Sequence, residues 1–519
     1  MKFGLIAVLC CCLSASAQTK LQPPDQVEAA KAKIAIQEVF AAEIAKAKAI
    51  MAKKILVSKI LEAASDLKET PANRWSLYEK AREISMSCAD VQLAVAALDA
   101  QTATFEVNRI ERNADFAEQL IKQVSLPTRA VVEFIYPAAE EASAADDLAS
   151  AIRLFNAGLT ASKTLKKEPA LERRFEQRLR TTRDIARALE SAKDDDDATG
   201  RIECFRKNSW ERGLPLLAKT KNTQLASIVN KDLAKPAIAQ DRCDLGDVWY
   251  ELAEKSTNEE RIGMLRRAFH WYRLGVTGIG GIARAKLETR IGGILEEVEA
   301  ADAKEGISTL WGVKPLARWR FQGEPRDTIG ISNGTLKNGA MVANGRLRLK
   351  GKGAIFDVPL PVDIEEKTME AWVYMPRVEH YFYVMKMIDT VTHVWDGILY
   401  AEQQPKKWYP GSSYRNRSRN LDAPEETAKP NEKVHVAIVY AANNSVTMYR
   451  NGKPYGDSFT PQGDRSNLQH YKKGISSLTL GDLDPNNGPV DIDEARLYNR
   501  ALNREEIEES YRLRTYHKN

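Results

Sequence analysis

Four groups of residues in this sequence have types and spacings that chemistry could use. Glu366-Lys-Thr-Met-Glu370 sets two carboxylates four residues apart, and Asp493-Glu494 sets two side by side. Paired carboxylates equip a retaining glycosidase, which needs a nucleophile and an acid about 5–5.5 Å apart. Asp482-Leu-Asp484-Pro-Asn486-Asn-Gly488 places oxygen side chains at alternate positions before a glycine, an arrangement that suits a hard cation such as calcium. Asp482, Asp484 and Asn486 are therefore candidate metal ligands, although a polar turn uses the same residue types and no bidentate acid closes the loop. The fourth group is aromatic and basic: Trp395, Tyr400, Trp408-Tyr409-Pro410, Tyr414 and Arg415-Asn-Arg417-Ser-Arg419. Rings offer flat platforms to sugar faces, and Arg or Asn can donate to hydroxyls, which makes Trp408, Tyr409, Arg417 and Trp395 candidate ligand-binding residues. The competing reading has the rings anchoring a long loop to a sheet beside a solvated basic turn.

Other catalytic signatures are missing from the sequence. There is no G-x-S-x-G elbow, phosphate-binding loop, H-E-x-x-H pair or dinucleotide fingerprint. Five of six histidines fall in the last third (His380, His393, His435, His470 and His517), none at metal-ligand spacing.

The elements that must position these groups fall into two halves with different grammar. A chain of 519 residues exceeds one ordinary core, so several domains are expected. Residues 1–17, with Lys2, an apolar core and Ala15-Ser16-Ala17, read as a cleavable signal peptide, which implies a secreted or periplasmic protein. The net charge of +5 is mild for this length and gives no electrostatic case for nucleic acid. No later run is long and apolar enough to predict a transmembrane span. From residue 24 to about 300 the composition is helical. Residues 18–70 predict a long N-terminal helix region, and residues 71–305 predict alternating amphipathic helices of an α-solenoid type. Hairpins are expected to turn near Ala89-Asp90 and near residues 256–258. Cys88, Cys204 and Cys243 remain after the leader; Cys204 and Cys243 could pair, or all three could be small buried residues.

Near residue 310 short β-rich runs begin, punctuated by Asn333-Gly334, Asn338-Gly339, Asn344-Gly345 and Asn451-Gly452. The runs at residues 368–375 and 434–441 are apolar on both faces, as strands inside two packed sheets should be. PVDIDEARLYN alternates as a strand, with Asp491, Asp493 and Ala495 on one face and Ile492, Glu494 and Arg496 on the other, so Glu494 can pair with Arg496. Asn503 and Glu506 then form a capping box that opens a terminal helix. A strand feeding a capped helix is a closing device, and Asp493-Glu494 is read as part of it.

TMEAWVY, VHVAIVYAANNSVTMYRNGKPYG, LTLGDL and IDEARLYNRALNREEIEESY stand in the order found in LamG-like jelly-roll domains of the concanavalin A-like lectin/glucanase superfamily. Residues 310–515 resemble that family, and DGILYAEQQPKKWYPGSS resembles one of its recurrent stretches. The resemblance implies an antiparallel β-sandwich, with a structural role for the Asp-Glu pair. Glucan-cleaving members carry Glu-x-Asp-x-Glu on one strand; here Thr368 stands at the centre, which weakens a catalytic reading of Glu366 and Glu370. The helical half resembles degenerate tetratricopeptide-type repeats. Residues 209–234 and 266–272 are similar to a helical region of large secreted bacterial proteins with assorted C-terminal domains, a resemblance that implies architecture and no activity. The expectation is an all-α helical repeat followed by an all-β jelly roll. It would be a non-catalytic binding protein for carbohydrate or a glycosylated surface partner, with calcium as a candidate cofactor and further protein partners on the helices. A structural scaffold and a cryptic glycoside hydrolase are the alternatives.

Overall fold

The computed structural model describes residues 19–516 apart from 124–127, 166–167, 257, 308, 310, 324, 331 and 464–466. The signal peptide read from residues 1–17 lies outside the described residues. The chain forms an α-then-β architecture, and its Cα packing divides it into two compact units, Met1–Arg183 and Asp184–Asn519.

The first unit is helical. Where apolar spacing predicts one long helix, the structure has three: Gln26–Val39, Ala41–Lys46 and Ile50–Ser65. A straight helix over that stretch would be about 60 Å long and could not close on itself. The breaks instead let Ile36, Phe40, Leu56 and Ile60 share a core with Leu77 and Tyr78, so tertiary burial overrides the local pattern. A helical hairpin follows, Pro71–Ser87 and Val91–Thr104. It turns where expected: Ala89 adopts φ +57°, and Asp90 caps the second helix by accepting the Leu93 N–H at 2.9 Å.

The second unit opens with more helices. Ala239–Glu254 and Asn258–Gly275 form the other expected hairpin, packed against the long helix Gly281–Lys304 through Trp249, Leu265, Tyr272, Ile291 and Leu295. Buried Asp232 organises this core, accepting from Trp249 Nε1 at 2.7 Å and Trp271 Nε1 at 2.8 Å while pairing with Arg267. Cys88, Cys204 and Cys243 are buried free thiols, so the Cys204–Cys243 pairing weighed from the sequence is absent. Burial pushes Cys204 up to about 12 and Cys243 up to about 11, the behaviour of packing residues.

The β half is a sandwich of two antiparallel sheets. The larger runs in the spatial order Lys453–Pro454, Val446–Arg450, Lys433–Tyr440, Lys367–Tyr374, Val490–Tyr498, Arg346–Leu349 and Met341–Ala343, with Ala317–Trp319 also paired to Val490–Tyr498. The smaller runs Thr335–Lys337, Ile355–Pro359, Ser476–Gly481, Phe382–Asp389, Trp395–Tyr400 and Trp408–Ser412. Met369, Ala371, Val436 and Ile438 face Phe382, Met387, Ile398 and Leu478 across the core. Strict alternation fails at one place. A β-bulge between Ile492 and Glu494 sends Ile492, Ala495 and Leu497 into the core and Glu494, Arg496 and Tyr498 outward, so Ile492 does not share a face with Glu494.

The capping box at Asn503 and Glu506 opens the closing helix Arg504–Thr515 as read from the sequence. This helix covers the outer face of the larger sheet, with Ile507 packed among Ala437, Val439 and Tyr498. On its other side Leu513 and Tyr516 join the helical core.

Helix contact in this unit brings several glycines against backbone, Gly263 most closely. A Cβ on Gly263 would stand 2.3 Å from Phe205 Cα and 2.5 Å from Phe205 O, atoms that cannot rotate away. Gly293 lies in the middle of Gly281–Lys304 with nothing within 4 Å of its Cβ position. Gly293→Ala should therefore stabilise the protein by about 1 kcal/mol through helix propensity. Gly263→Ala should destabilise it by about 1–3 kcal/mol through overpacking. Denaturant unfolding of both variants checks the opposite signs; the same sign in both would contradict the close approach at Phe205.

Candidate functional site

Of the candidate catalytic carboxylates, Glu370 stands on the covered face, while Glu366 is half-buried just before the strand Lys367–Tyr374. Thr368, Glu370 and Trp372 point outward from the larger sheet yet are fully buried beneath the closing helix. Both Glu370 oxygens are committed. Oε1 lies 2.8 Å from His435 Nε2, and Oε2 accepts from Ser510 at 2.9 Å and Tyr498 at 3.0 Å. Burial would raise this carboxyl, but the His435 hydrogen bond and the Arg496 charge outweigh it and hold the group below the usual carboxylate range. Thr368 is also occupied, its Oγ1 donating to Arg500 O at 2.9 Å and accepting from Leu502 N at 3.0 Å.

Asp493 and Glu494 are part of the closure. Glu494 accepts from Arg496 Nε at 2.6 Å, the same-face pair read from the sequence, with Arg514 Nε at 3.2 Å and Arg320 Nε at 3.7 Å. Asp493 accepts from Arg514 Nη2 at 2.6 Å and lies 3.3 Å from Lys433 Nζ. Arg320 also reaches Glu299 of the long helix at 2.6 Å. Burial pushes the Glu494 carboxyl upward, and Arg496, Arg318, Arg514 and Arg320 more than reverse that.

The four ligand candidates separate. Arg417 is inside the sandwich, donating from Nε to Asp396 at 2.6 Å. Asp396 also accepts from Tyr471 at 2.9 Å and pairs with buried Lys367 at 3.1 Å. Trp408 is equally internal, its Nε1 donating to Glu426 at 2.7 Å and its ring 4.8 Å from Tyr400. Neither presents a surface to a ligand. Tyr409 is 5% exposed, while Trp395 is half-buried on the outward face of the smaller sheet.

On that face the sheet register assembles a cluster. Tyr383 lies opposite Leu399, which lies opposite Tyr409, and Trp395 lies opposite Ile388. The Trp395 ring rests over Gly411, where an added Cβ would stand 2.9 Å from it. Tyr383 meets Trp395 edge-on at 5.6 Å, and Lys386 Nζ lies 5.4 Å from the Tyr383 centroid and 5.6 Å from that of Trp395. Tyr381 stands 6.0 Å from Tyr383. At the edge beside Trp395, Ser413 Oγ accepts from Trp395 N at 2.7 Å, which fixes the turn carrying Tyr414 and Arg415. Both residues hold left-handed backbone, φ +53° and +59°, and the Tyr414 side chain is 86% exposed. A non-glycine pair in that conformation is strained unless surrounding structure maintains it.

The Asp482 loop borders the same cluster, but its groups do not fit calcium. Asp482 is ion-paired with Lys386 and accepts from Asp484 N at 2.9 Å. Asp484 accepts from the Tyr381 hydroxyl and from Asn486 N at 2.8 Å, bonds that hold its carboxyl below the usual range. The Lys386 ammonium occupies the charge position a cation would need. Among the described residues there is no group of three or more His, Cys, Asp or Glu that could hold a metal ion. Sequence reading missed Tyr381, Tyr383 and Lys386; the alternation Tyr381-x-Tyr383 was the available signal, and a register shift between Tyr383 and Met385 hid Lys386.

A laminin-G-type model of the concanavalin A-like lectin/glucanases superfamily matches residues 352–508. The C-terminal region is thus a jelly-roll domain of the laminin-G and concanavalin A-lectin type, preceded by a helical region. No curated protein matches the chain. Among solved structures, Trypanosoma rangeli sialidase in complex with sialic acid is 16% identical with a TM-score of 0.32, over 46% of this chain and 40% of that chain. The botulinum neurotoxin serotype D binding domain is 14% identical with a TM-score of 0.30, over 38% of this chain and 50% of that one. This chain spans half or less of those proteins, and similarity at that level carries no argument about activity.

The buried carboxylates set an acid limit on stability. Glu370 and Glu494 are held below the ordinary value of 4.5 in the folded protein. Below about pH 4.5 their unfolded counterparts take up protons while the folded ones resist. Their contribution is full above that pH and is lost as pH falls toward their folded values. Thermal midpoints from pH 7 to 3 should therefore drop on the acid side. Glu370→Gln should lower the midpoint at pH 7 and flatten the acid limb; an unchanged limb would contradict this account.

Proposed function

We propose that the protein is a secreted or periplasmic, non-catalytic binding protein whose jelly roll recognises carbohydrate, or a glycosylated surface partner, through the outward face of the smaller sheet. The observation that carries this reading is the contrast between the two outer faces. Outward residues of the central strands of the larger sheet are sealed beneath the closing helix, whereas Tyr381, Tyr383, Trp395 and Tyr414 keep ring surface toward solvent. Rings held at fixed angles around a neutralised lysine suit stacking against a sugar, with Lys386, Asp482 and nearby backbone supplying hydrogen bonds. The superfamily match over residues 352–508 supports carbohydrate as the ligand class. Commitment of Glu370 to His435, Tyr498 and Ser510 supports a non-catalytic role over a hydrolase built on Glu366 and Glu370. Among the described residues no helix is long and apolar enough to cross a membrane.

One observation favours a scaffold as a second reading. Ile34, Val39, Ile50, Met51 and Ile55 in the first unit are each more than 60% exposed, more apolar surface than isolated helices need to leave open.

A glycan-array screen of the full-length chain tests the first reading. Selective binding is expected, and Tyr414→Ala should weaken it about tenfold, equivalent to about 1.4 kcal/mol, without moving the thermal midpoint. Trp395→Ala should abolish it. Folded protein that retains no glycan, or that binds unchanged in both variants, would overturn the reading.

A further inference from the structure

The second unit holds a cavity that has no part in the sandwich face. It has a volume of about 370 Å³ and opens where the helix Asn258–Gly275 meets the end of a π-helical turn, Ile202–Arg206, and the segment leading to the sandwich. Single π-helical turns inside helical regions often mark functional positions. Five cations line the cavity: Arg206, Lys207, Arg266, Arg267 and Arg273; Asp302 is the one lining carboxylate.

Four of these cations have partners. Lys207 pairs with Glu203 at 2.6 Å, Arg266 with Asp302, Arg267 with Asp232, and Arg273 Nε lies 2.8 Å from Glu509. Arg206 makes no ion pair among the described residues and is half-buried at the cavity wall. Trp311, also in the wall, has its Nε1 shielded from solvent without a hydrogen-bond acceptor. Rings form the rest of the wall. Phe269 and Trp311 meet edge-on at 4.3 Å, and Trp210 is fixed by Nε1 donation to Asn208 at 2.6 Å.

We propose that this cavity binds a small monoanion, a carboxylate or sulfate group carried on a six-membered ring, with Arg206 as the donor and Trp210, Phe269 and Trp311 as the rings of the wall. One surplus cation matches one negative charge. The volume lies near the lower end of small-molecule sites and suits one ring better than a chain of them. A guanidinium with no carboxylate partner in a partly dry wall is the standard receptor for an oxyanion. The ring could be a sugar acid or an aromatic acid, which share this chemistry.

His270, also in the wall, reports on the site. Burial, with Arg267 and Arg273 beside it and Asp232 opposing, pushes its imidazole down to about 4. Arg206, Lys207 and Asp302 face the same space from neighbouring elements. An added negative charge would raise it.

Calorimetric titration of the full-length chain with D-glucuronate, benzoate, inorganic sulfate and glucose tests the proposal. One ring-bearing acid should bind saturably and more tightly than sulfate, with glucose silent, and whichever acid is tighter identifies the ring type. Arg206→Gln should weaken binding about tenfold or more, and Arg206→Lys should restore part of it, both with an unchanged melting midpoint. NMR of the imidazole signals, with His270 identified by its loss in His270→Gln, should show its titration moving upward when ligand is present. Binding of glucose equal to that of the acids, sulfate as tight as either acid, no saturable binding at all, or unchanged affinity in Arg206→Gln would each overturn it. Because none of these residues belongs to the sandwich face, failure here leaves the glycan-array result unaffected.

Discussion

Burial of Glu494 is the constraint on which the second unit turns. A carboxylate in a dry interior is prohibitively costly unless charge surrounds it, and the sequence supplies that charge from separate places. Arg496 comes from the same strand, Arg318 from the first strand of the sandwich, Arg320 from just past its end, and Arg514 from the closing helix. Arg320 also holds Glu299 of the long helix. The cluster can be satisfied only when strand, closing helix and helical segment are all in place. The jelly roll is therefore built into the second unit with the helices that precede it, and the break in Cα packing falls earlier, at Arg183 and Asp184.

This closure makes the two outer faces of the sandwich unequal. The larger sheet turns His435, Glu370, Trp372, Glu494 and Arg496 outward, residues that would ordinarily meet water, and the closing helix converts them into a second interior. Polar groups there are fixed by each other, which gives specificity to the helix position but leaves none of them for a substrate. The smaller sheet has no equivalent demand. Its rings are ordered from one side only, by the Lys386–Asp482 pair and by Gly411 beneath Trp395.

Much of this fold was legible in the sequence, because strand alternation, asparagine-glycine turns and the capping box are local signals with local causes. The hairpins at Ala89-Asp90 and at residues 256–258 were legible for the same reason. What escaped was set by distant partners. The bulge at residue 493 reverses face order and is invisible to a period-two count. The three-way break of residues 26–65 has no proline or glycine to announce it and follows from burial against Leu77 and Tyr78. For the candidate site, composition drew attention to a segment whose members the structure divides between the core and the outer sheet face. Trp408 and Arg417 have the chemistry of ligand contacts, but Glu426 and Asp396 lie far enough away in sequence that their claim on those side chains could not be seen.

The same accounting separates the two proposed sites by electrostatics. On the sheet face Lys386 is neutralised by Asp482, and Asp484 is held by Tyr381, so stacking and neutral hydrogen bonds would dominate any recognition there. Such a face favours an uncharged sugar and should respond little to salt. In the cavity Arg206 has no ion pair among the described residues, and burial, with Arg267 and Arg273 beside it, holds His270 neutral. A ligand there must bring the missing negative charge, and its binding must weaken as ionic strength rises, though less than for an exposed pair because the wall is partly buried. One chain thus offers a neutral ring-lined surface and a basic ring-lined cavity, and the chemistry that satisfies one is poorly suited to the other.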